Sequence, residues 1–290
     1  MSGRNLVFVG VGRVGTALAV ALEQRGYRVL AVEDLDPRAL ERARRRLRGA
    51  EVGITPETAR LADAVFITTR DDAIGAVAAN LASRFSWSEK RVFVHTSGSL
   101  TSSVLGDGAR LSFHPLQSFA QVEDAVERIS KSVVTLEGDG RGLEFGRELA
   151  LALGVRCVEI APHQKPLYHL AACVACNYAV TLVHEAKMVL LELGFSQELA
   201  EEGLLSLLSG TLGNMERLGV EKAITGPIAR GDVETIRSHL GALRGRDALK
   251  RLYSLLGVHT ARMALGTGTP AEGRDTRLRE IEELLSGSET

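Results

Sequence analysis

Four polar side chains with acid–base or hydrogen-bonding chemistry stand beside apolar stretches of this 290-residue chain: Ser97, His114, Lys165 and Asn177. Histidine exchanges protons near neutral pH, and lysine does so once burial has lowered its pKa. Serine and asparagine side chains bind oxygen-bearing or nitrogen-bearing groups by hydrogen bonds. Such a set is typical of a site where a proton moves while a small polar molecule reacts.

His114 is the first candidate for the proton-exchanging group, since it follows a short apolar run and precedes a proline that would hold the turn rigid. Ser97 stands in the glycine-containing turn His95–Leu100 behind another apolar run, and Ser99 could take its place. The alternative for His114 is structural: a hydrogen bond to the backbone that only shapes the turn.

Lys165 and Asn177 lie in one helical pattern, where their spacing of 12 residues puts them on a broad common face. Lys165 is a second candidate for proton exchange, and Asn177 is a candidate substrate-binding amide. His169, Cys173 and Cys176 share this helical stretch. One helix rarely offers tetrahedral ligand geometry, so we predict no metal site there.

Three glycines at Gly10, Gly12 and Gly15 form the pattern G-x-G-x-x-G between an apolar run and a helical pattern. In that context the first glycine makes a tight turn, the second lets a pyrophosphate approach the backbone, and the third packs helix on strand. The amides at the helix start then face the phosphates. We predict that the following residues bind a dinucleotide cofactor: Gly10, Gly12, Arg13, Val14, Gly15, Glu33, Thr68 and Thr69.

Glu33 ends the next apolar run, 18 residues after Gly15, where a carboxylate can accept hydrogen bonds from the adenine ribose. A carboxylate repels a 2′-phosphate there, which favours NAD over NADP. Asp34 takes this role if the strand is one residue longer. The arginines between residues 38 and 46 could instead receive a 2′-phosphate, so the expected cofactor is NAD or NADP.

Strand and helix patterns alternate through the first half of the chain, and only helical patterns follow residue 161. We therefore predict an α/β protein with a doubly wound, mostly parallel Rossmann sheet followed by an all-α second domain. The predicted dinucleotide-binding domain covers 1–161, and the helical domain for substrate binding and dimerisation covers 162–290. Its first helix is expected to run unbroken from Pro166 to Leu193. Ligands of such sheets bind beyond the carboxyl ends of the strands, where Thr68, Ser97 and His114 should converge.

The composition, with 45% apolar and 24% charged residues, is ordinary for a soluble globular protein. A net charge of −1 gives no general attraction to nucleic acid or anionic membranes, so neither is an expected partner. The three cysteines do not make a disulfide framework. No apolar run approaches the roughly 20 residues of a membrane span. We expect a cytoplasmic protein, and the apolar helices of the second half predict a homodimer.

With these motifs in hand, the chain resembles a group of Rossmann-fold oxidoreductases of unassigned substrate whose C-terminal helical half is a domain of unknown function. Their first half is similar to the deazaflavin-dependent NADP oxidoreductases and the pyrroline-5-carboxylate reductases. The resemblance rests on these stretches: Gly10 to Gly15, His95 to Leu100, Ser112 to Phe119, Asn177, and Thr225 to Asp232.

A looser similarity is to the prephenate dehydrogenases, which carry a serine turn after one strand and a His-Pro pair after a later one. In those enzymes the serine and histidine meet at the substrate hydroxyl that loses its proton. Carried over, the pair would be His114 with Ser97 or Ser99. The lysine that usually follows the serine turn is replaced here by Leu100-Thr101-Ser102, which argues against a prephenate-type substrate.

Together these features predict an NAD(P)-dependent oxidoreductase that transfers hydride to or from a small polar substrate, either a hydroxy or keto acid or an imine. The rival from another class is a non-catalytic NAD(P)-sensing binding protein. A methyltransferase that uses S-adenosylmethionine is a third possibility. The glycine motif argues against it, because a sulfonium compound has no pyrophosphate to bind.

Overall fold

The computed structural model describes residues 4–87, 90–119, 122–267 and 273–287. The chain divides into two compact units, of which the first ends at Asn177 and the second begins at Tyr178. The domain boundary predicted between residues 161 and 162 rests on the change from alternating to purely helical sequence patterns, and it stays a prediction.

The first unit is built on an eight-stranded sheet with the order β3-β2-β1-β4-β5-β6-β7-β8. All neighbouring strands pair in parallel except β6 and β7, which are antiparallel. The predicted mostly parallel, doubly wound sheet is therefore confirmed. The strands are β1 (Asn5–Val9), β2 (Arg28–Glu33), β3 (Glu51–Val52), β4 (Ala64–Ile67), β5 (Val92–His95), β6 (Ala109–Pro115), β7 (Val133–Gly138) and β8 (Arg156–Glu159).

Seven α-helices accompany the sheet in the described residues, and several of them begin at a capping side chain. The Asp36 carboxylate accepts a hydrogen bond from the Arg38 amide, and Thr55 and Thr58 form a capping box. The helices are α1 (Arg13–Glu23), α2 (Pro37–Arg44), α3 (Pro56–Leu61), α4 (Asp71–Arg84), α5 (Val122–Ser130), α6 (Gly140–Leu153) and α7 (Lys165–Ala175).

The central strands are apolar throughout because both faces of the sheet are covered. On one face Leu6 and Phe8 pack with α1 and α6, and the Phe8 ring stacks on Phe66 at 4.5 Å between centroids. On the other face Val7 and Val9 join Ile74 and other side chains of α3 and α4. This two-sided core holds the carboxyl ends of β1, β4, β5 and β6 along one edge.

The second unit is helical, which confirms the predicted all-α character of this half. Its small apolar core joins Ile228, Ile236, Val258 and Ile281 with neighbouring side chains. The helices that follow α7 are α8 (Asn177–Glu192), α9 (Gln197–Leu218), α10 (Gly226–Arg230), α11 (Val233–Ala242), α12 (Asp247–Thr267) and α13 (Arg274–Ser286).

The long helix expected from Pro166 to Leu193 is two helices, because α7 ends at Ala175 and α8 begins at Asn177. Cys176 between them is the C-cap residue of α7, with φ −109° and ψ −62°. By length and composition alone, Pro162–Glu192 is also one candidate membrane span in the described residues, contrary to the expectation from the sequence. The Glu185 and Lys187 side chains within α8 are costly in a bilayer.

Candidate active site

The glycine turn between β1 and α1 has three positions with different steric surroundings. Gly10 has φ +88°, and an added Cβ would lie 2.6 Å from the Thr69 amide nitrogen. A Cβ on Gly15 would collide with the Gly10 carbonyl and the Thr68 hydroxyl, whereas one on Gly12 would meet no described atom within 4 Å. The turn is therefore closed at its first and third glycines and open at its second, as a bound pyrophosphate requires.

The start of α1 completes this open surface. Gly12 is the N-cap residue, and within the described residues no side chain caps the helix. The first amides of a helix have no partner inside it, so an anion beside Gly12 could accept their hydrogen bonds. Arg13 and Val14 open the helix. Val14 packs against the core, while the Arg13 guanidinium donates to the Phe119 carbonyl at 3.3 Å.

Two carboxylates stand at the end of β2. The predicted ribose-binding residue, Glu33, forms an ion pair with Arg84 at 2.9 Å and accepts a hydrogen bond from the Ile54 amide. The Asp34 carboxylate accepts the Val11 amide of the glycine turn at 2.7 Å. Asp34 is thus held at the turn itself, even though the strand ends one residue earlier, at Glu33.

The ends of β4 and β5 are joined by hydrogen bonds between polar side chains. The Thr68 hydroxyl donates to the Gly10 carbonyl, which ties β4 to the glycine turn. Asp71, the first residue of α4, accepts the hydroxyls of Ser97 at 2.6 Å and Ser99 at 3.0 Å. The structure thus brings Thr68 and Ser97 to one edge of the sheet. Thr69 also lies there, beside Gly10.

The predicted catalytic Ser97 is 5% exposed and makes several hydrogen bonds. Its hydroxyl donates to Asp71 and accepts the amides of Ser99 and Leu100. A hydroxyl has one hydrogen to donate, and that of Ser97 is directed at a carboxylate. This geometry favours Ser97 as the residue that shapes the turn.

Lys165 lies beneath the same turn and is 1% exposed. Its ammonium group donates to the Ser97 carbonyl at 2.8 Å and to the Ser112 hydroxyl at 2.7 Å. Burial lowers the pKa of Lys165 to about 8, with Glu137 and Asp71 opposing the shift. The lysine therefore joins α7 to β5 and β6 as a buried hydrogen-bond donor.

Glu137, which sequence reasoning missed, binds the far end of the turn at Ser102. The buried Glu137 carboxylate accepts the Ser102 amide at 2.5 Å and the Ser102 hydroxyl at 2.8 Å. Glu137 lies opposite Ser112 in the antiparallel β6–β7 pair. The loop from Ser97 to Ser102 is thereby held at both ends by charged groups in the interior.

A cavity of about 550 Å³ opens beside this loop, with His114 and Asn177 among its lining residues. Its lining residues come from the end of β6, the segment after it, and α7: His114, Leu116, Gln117, Ser118, Tyr168, His169, Ala171, Ala172, Cys173, Ala175, Cys176 and Asn177. Lys165 and Ser97 are not among them. The structure therefore brings two of the four predicted catalytic residues to the cavity, and it places Ser97 in the adjoining turn and Lys165 beneath it.

His114 is the acid–base group best placed in this cavity. A Cβ added to Gly98 would lie 2.9 Å from His114 Nε2 and 2.8 Å from His169 Cδ2, so the glycine lets the backbone lie against both rings. Burial lowers the pKa of His114 to about 4, with positive charge on Lys165 and His169 adding to the effect. The imidazole is therefore neutral at neutral pH.

Tyr168 is the cavity residue that sequence reasoning missed. Its hydroxyl lies 2.6 Å from His114 Nδ1, and the two rings meet edge to face at 5.5 Å between centroids. Burial raises the pKa of Tyr168, which keeps the phenol protonated. The sequence spacing could have identified Tyr168, because it follows Lys165 by three residues and therefore lies on the same side of the helix.

The cysteines of α7 do not assemble a metal site in the described residues, where no group of three or more His, Cys, Asp and Glu could hold an ion. The Cys173 thiol lies 3.8 Å from His169 Nδ1, one turn away on the same helix. The structure also contains no disulfide among the described cysteines, which are free thiols.

An open glycine turn and a cavity at the carboxyl edge of a mostly parallel sheet are typical of the Rossmann-like class of dinucleotide-fold proteins. Residues 4–117 match the family model of a Rossmann-like domain, and residues 132–260 match that of a domain of unknown function, DUF2520. The chain therefore combines a match to a Rossmann-like domain with a match to a DUF2520 domain, which confirms the family resemblance.

Several solved structures share this fold over nearly the whole chain. A Bacteroides fragilis protein provisionally assigned as an NADP oxidoreductase is 23% identical, with a TM-score of 0.70 over 97% of this chain and 99% of that one. The Thermotoga maritima protein TM1727 is 26% identical, with a TM-score of 0.65 over 98% of both chains. A Plasmodium falciparum pyrroline carboxylate reductase with NADP bound is 13% identical, with a TM-score of 0.55 over both full chains. The search of curated proteins gives no match.

Proposed function

We propose that this protein is an NAD(P)-dependent oxidoreductase that transfers hydride to or from a small polar substrate. The observation that supports the proposal is that an open glycine turn and a cavity containing an acid–base group lie on the same edge of one sheet. The glycine turn is open at Gly12, and the cavity with the neutral His114 lies two strands beyond β4. The Arg13–Phe119 hydrogen bond links α1 to the segment that follows β6.

The cofactor proposed for the glycine turn is NAD(H) in preference to NADP(H). The Asp34 carboxylate is held at the Val11 amide, where it can accept ribose hydroxyls and would repel a 2′-phosphate. Glu33 is partly neutralised by Arg84. Among the arginines that could receive a 2′-phosphate, Arg42 and Arg45 form ion pairs with Asp36 and Glu41. Asp34 therefore replaces Glu33 as the favoured ribose-binding acid.

The substrate is proposed to be a hydroxy or keto acid or an imine that binds in the cavity. The bound cofactor would supply or accept the hydride. His114 would hold the proton that the substrate oxygen or nitrogen gains or loses, because its ring nitrogen faces the cavity beside Gly98. Asn177 and Gln117 offer amides that can orient the substrate. Lys165 and Ser97 are proposed to position the turn that forms one wall.

We further propose that the protein is a cytoplasmic homodimer. Its free thiols fit a reducing compartment. The α9 helix exposes Leu199, Leu205 and Leu212, and large exposed apolar surfaces of soluble proteins are typically contact sites. Nucleic acid and membrane are not proposed as partners.

The test is calorimetric titration with NADH and NADPH, followed by nucleotide oxidation assays with a panel of 2-oxo acids and cyclic imines. We expect NADH to bind more tightly, because a 2′-phosphate would approach Asp34. His114→Ala should lower turnover by about 10² to 10⁴-fold and leave the nucleotide Kd nearly unchanged.

The control is His184→Ala, which removes an exposed imidazole outside the cavity. It should match the wild-type protein in both measurements. Failure of both nucleotides to bind would refute the proposal. An equal loss of turnover and affinity in His114→Ala would remove the proton-exchanging role, and nucleotide binding without turnover on any substrate would favour the NAD(P)-sensing alternative.

A further inference from the structure

The contact between His114 and Tyr168 supports an inference about which ring nitrogen of His114 carries the hydrogen. The part of this inference that concerns catalysis rests on the proposed oxidoreductase function. Thr135 lies opposite His114 in the β6–β7 pair, and α7 places the Tyr168 hydroxyl at His114 Nδ1, 2.6 Å away. Thr135 also hydrogen-bonds to the Tyr168 hydroxyl. His114 is thus supported on its Nδ1 side, while Nε2 faces Gly98 and the cavity.

We propose that Tyr168 is a positioning residue that holds His114 as the neutral tautomer with its hydrogen on Nε2, so that the imidazole presents a proton donor to the substrate. The reasoning begins with the strengths of the two partners. A phenolic O–H is a stronger donor than a neutral imidazole N–H, and an imidazole nitrogen is a stronger acceptor than a phenol oxygen. The Tyr168 hydroxyl therefore donates to Nδ1, and the ring hydrogen resides on Nε2.

The Thr135 hydroxyl supports the same direction. Burial raises the pKa of the Tyr168 phenol, and the hydrogen bond with the Thr135 side chain opposes that effect. Thr135 is buried, and a buried hydroxyl hydrogen without an acceptor is costly. With Thr135 donating to Tyr168 and Tyr168 donating to His114, each hydrogen of the chain has an acceptor.

This arrangement assigns a direction to the proton transfer. A bound cofactor would supply the hydride, and its addition to a carbonyl carbon would leave the electron pair of the broken π bond on the substrate oxygen. The Nε2 proton of His114 passes to that oxygen, and the Tyr168 proton passes to Nδ1, so the imidazole remains neutral. The resulting phenolate accepts the Thr135 hydrogen bond until the Nδ1 proton returns to it, while Nε2 takes up a proton from solvent and the starting tautomer is restored. The reverse sequence serves alcohol oxidation.

The first test is ¹⁵N NMR of the histidine side chains in the full-length protein at neutral pH, with His114 assigned from a His114→Gln spectrum. In the wild-type protein we expect a protonated Nε2, an unprotonated Nδ1, and a slowly exchanging Tyr168 hydroxyl proton correlated with Nδ1. A protonated Nδ1 would overturn the proposal. This measurement needs no substrate or cofactor, so it tests the tautomer of His114 even if the proposed oxidoreductase function is wrong.

The second test compares two tyrosine variants that each remove one His–Tyr hydrogen bond. Tyr168→Phe should shift the Nδ1 resonance, abolish the hydroxyl proton signal, and lower turnover by about 10 to 100-fold at unchanged nucleotide Kd, the loss typical of removing a supporting hydrogen bond. Tyr253→Phe is the matched control, because Tyr253 makes the same edge contact with His239, with Oη 2.9 Å from Nδ1.

Tyr253→Phe should leave the His114 resonances and turnover at wild-type values. If both variants behave alike, Tyr168 has no special role. An unchanged His114 Nδ1 shift in Tyr168→Phe would also refute the proposal. Should Tyr168→Phe fail to fold, the wild-type spectrum alone still decides the tautomer.

Discussion

Two buried histidines are kept neutral by the same physical cause. Removal from water lowers the pKa of both His95 and His114 to about 4, and the positive charge of Lys165 adds to the shift in each case. His95 is fully buried, and its Nδ1 accepts the Ser97 amide at 3.1 Å. His95 therefore supports the turn as a neutral acceptor, while His114 lies where a substrate could meet it.

Because His95 binds a proton more readily in the unfolded chain than in the folded one, stability should depend on pH. The pKa of His95 falls from its ordinary value of 6.5 to about 4 on folding. Its contribution is complete above about pH 6.5 and is lost as the pH falls through about 4. We expect the free energy of unfolding in urea to decrease over this range, and to decrease less in His95→Asn, whose amide oxygen can still accept the Ser97 amide.

His184→Asn is the control for this measurement, since His184 is exposed. It should retain the full pH dependence of the wild-type protein. An identical slope in His95→Asn and wild type would show that His95 does not control acid stability.

At the scale of elements, the β1–α1 turn separates a folding role from a binding role. Gly15 is closed by the Gly10 carbonyl and the Thr68 hydroxyl, so its requirement is packing between helix and strand. Gly12 has open space around its Cα within the described residues, so we expect a substitution there to affect ligand binding and not packing. Substitutions at these two glycines of the same motif should therefore have different effects, one on stability and the other on nucleotide binding.

This difference gives a paired prediction. Gly15→Ala should lower the melting temperature by several degrees, because the added Cβ displaces backbone atoms, an overpacking cost of about 1–3 kcal/mol. Gly12→Ala should melt close to the wild-type temperature and lose at least tenfold in NADH affinity, because the methyl group occupies the space proposed for the pyrophosphate.

Thermal melts and calorimetric titrations of the two variants check this prediction. Wild-type NADH affinity in Gly12→Ala would show that nothing binds against that glycine. An unperturbed melting temperature in Gly15→Ala would show that the turn can relax around the new side chain.

At the scale of the whole molecule, the second unit leaves much apolar helix surface uncovered. Ala200 is the buried residue of the 22-residue α9 in the described chain. Leu205 and Leu212, seven residues apart, lie on one face of that helix and are more than half exposed. A second copy of the chain is the proposed occupant of this face.

We expect light scattering with size-exclusion chromatography to give a dimer for the wild-type protein and a monomer for Leu205→Glu combined with Leu212→Glu. Burying two carboxylates in an apolar contact is costly, so the charged pair should prevent association. The control is Leu151→Glu in α6, which places a charge at an exposed leucine of the first unit. It should remain a dimer, and a monomeric wild-type protein at micromolar concentration would contradict the proposal.

The sequence by itself determined the mostly parallel sheet, the helical second half, the glycine turn and the position of His114 at a strand end. These features follow from local periodicity, capping residues and the directions of parallel strands, which neighbouring residues encode. The break at Cys176 departed from that periodicity, because a continuous apolar pattern does not report where a helix ends.

Only the tertiary structure decided how the polar residues near the cavity divide their roles. Ser97 meets Asp71, Lys165 meets the Ser97 carbonyl, and Tyr168 meets His114 across separations of 26, 68 and 54 residues. A sequence pattern shows which side chains are buried or at a strand end. It does not show which side chains from separate elements come into contact, because that depends on how the helices pack against the sheet edge. The same packing placed the carboxylate of Asp34, rather than that of Glu33, against the glycine turn.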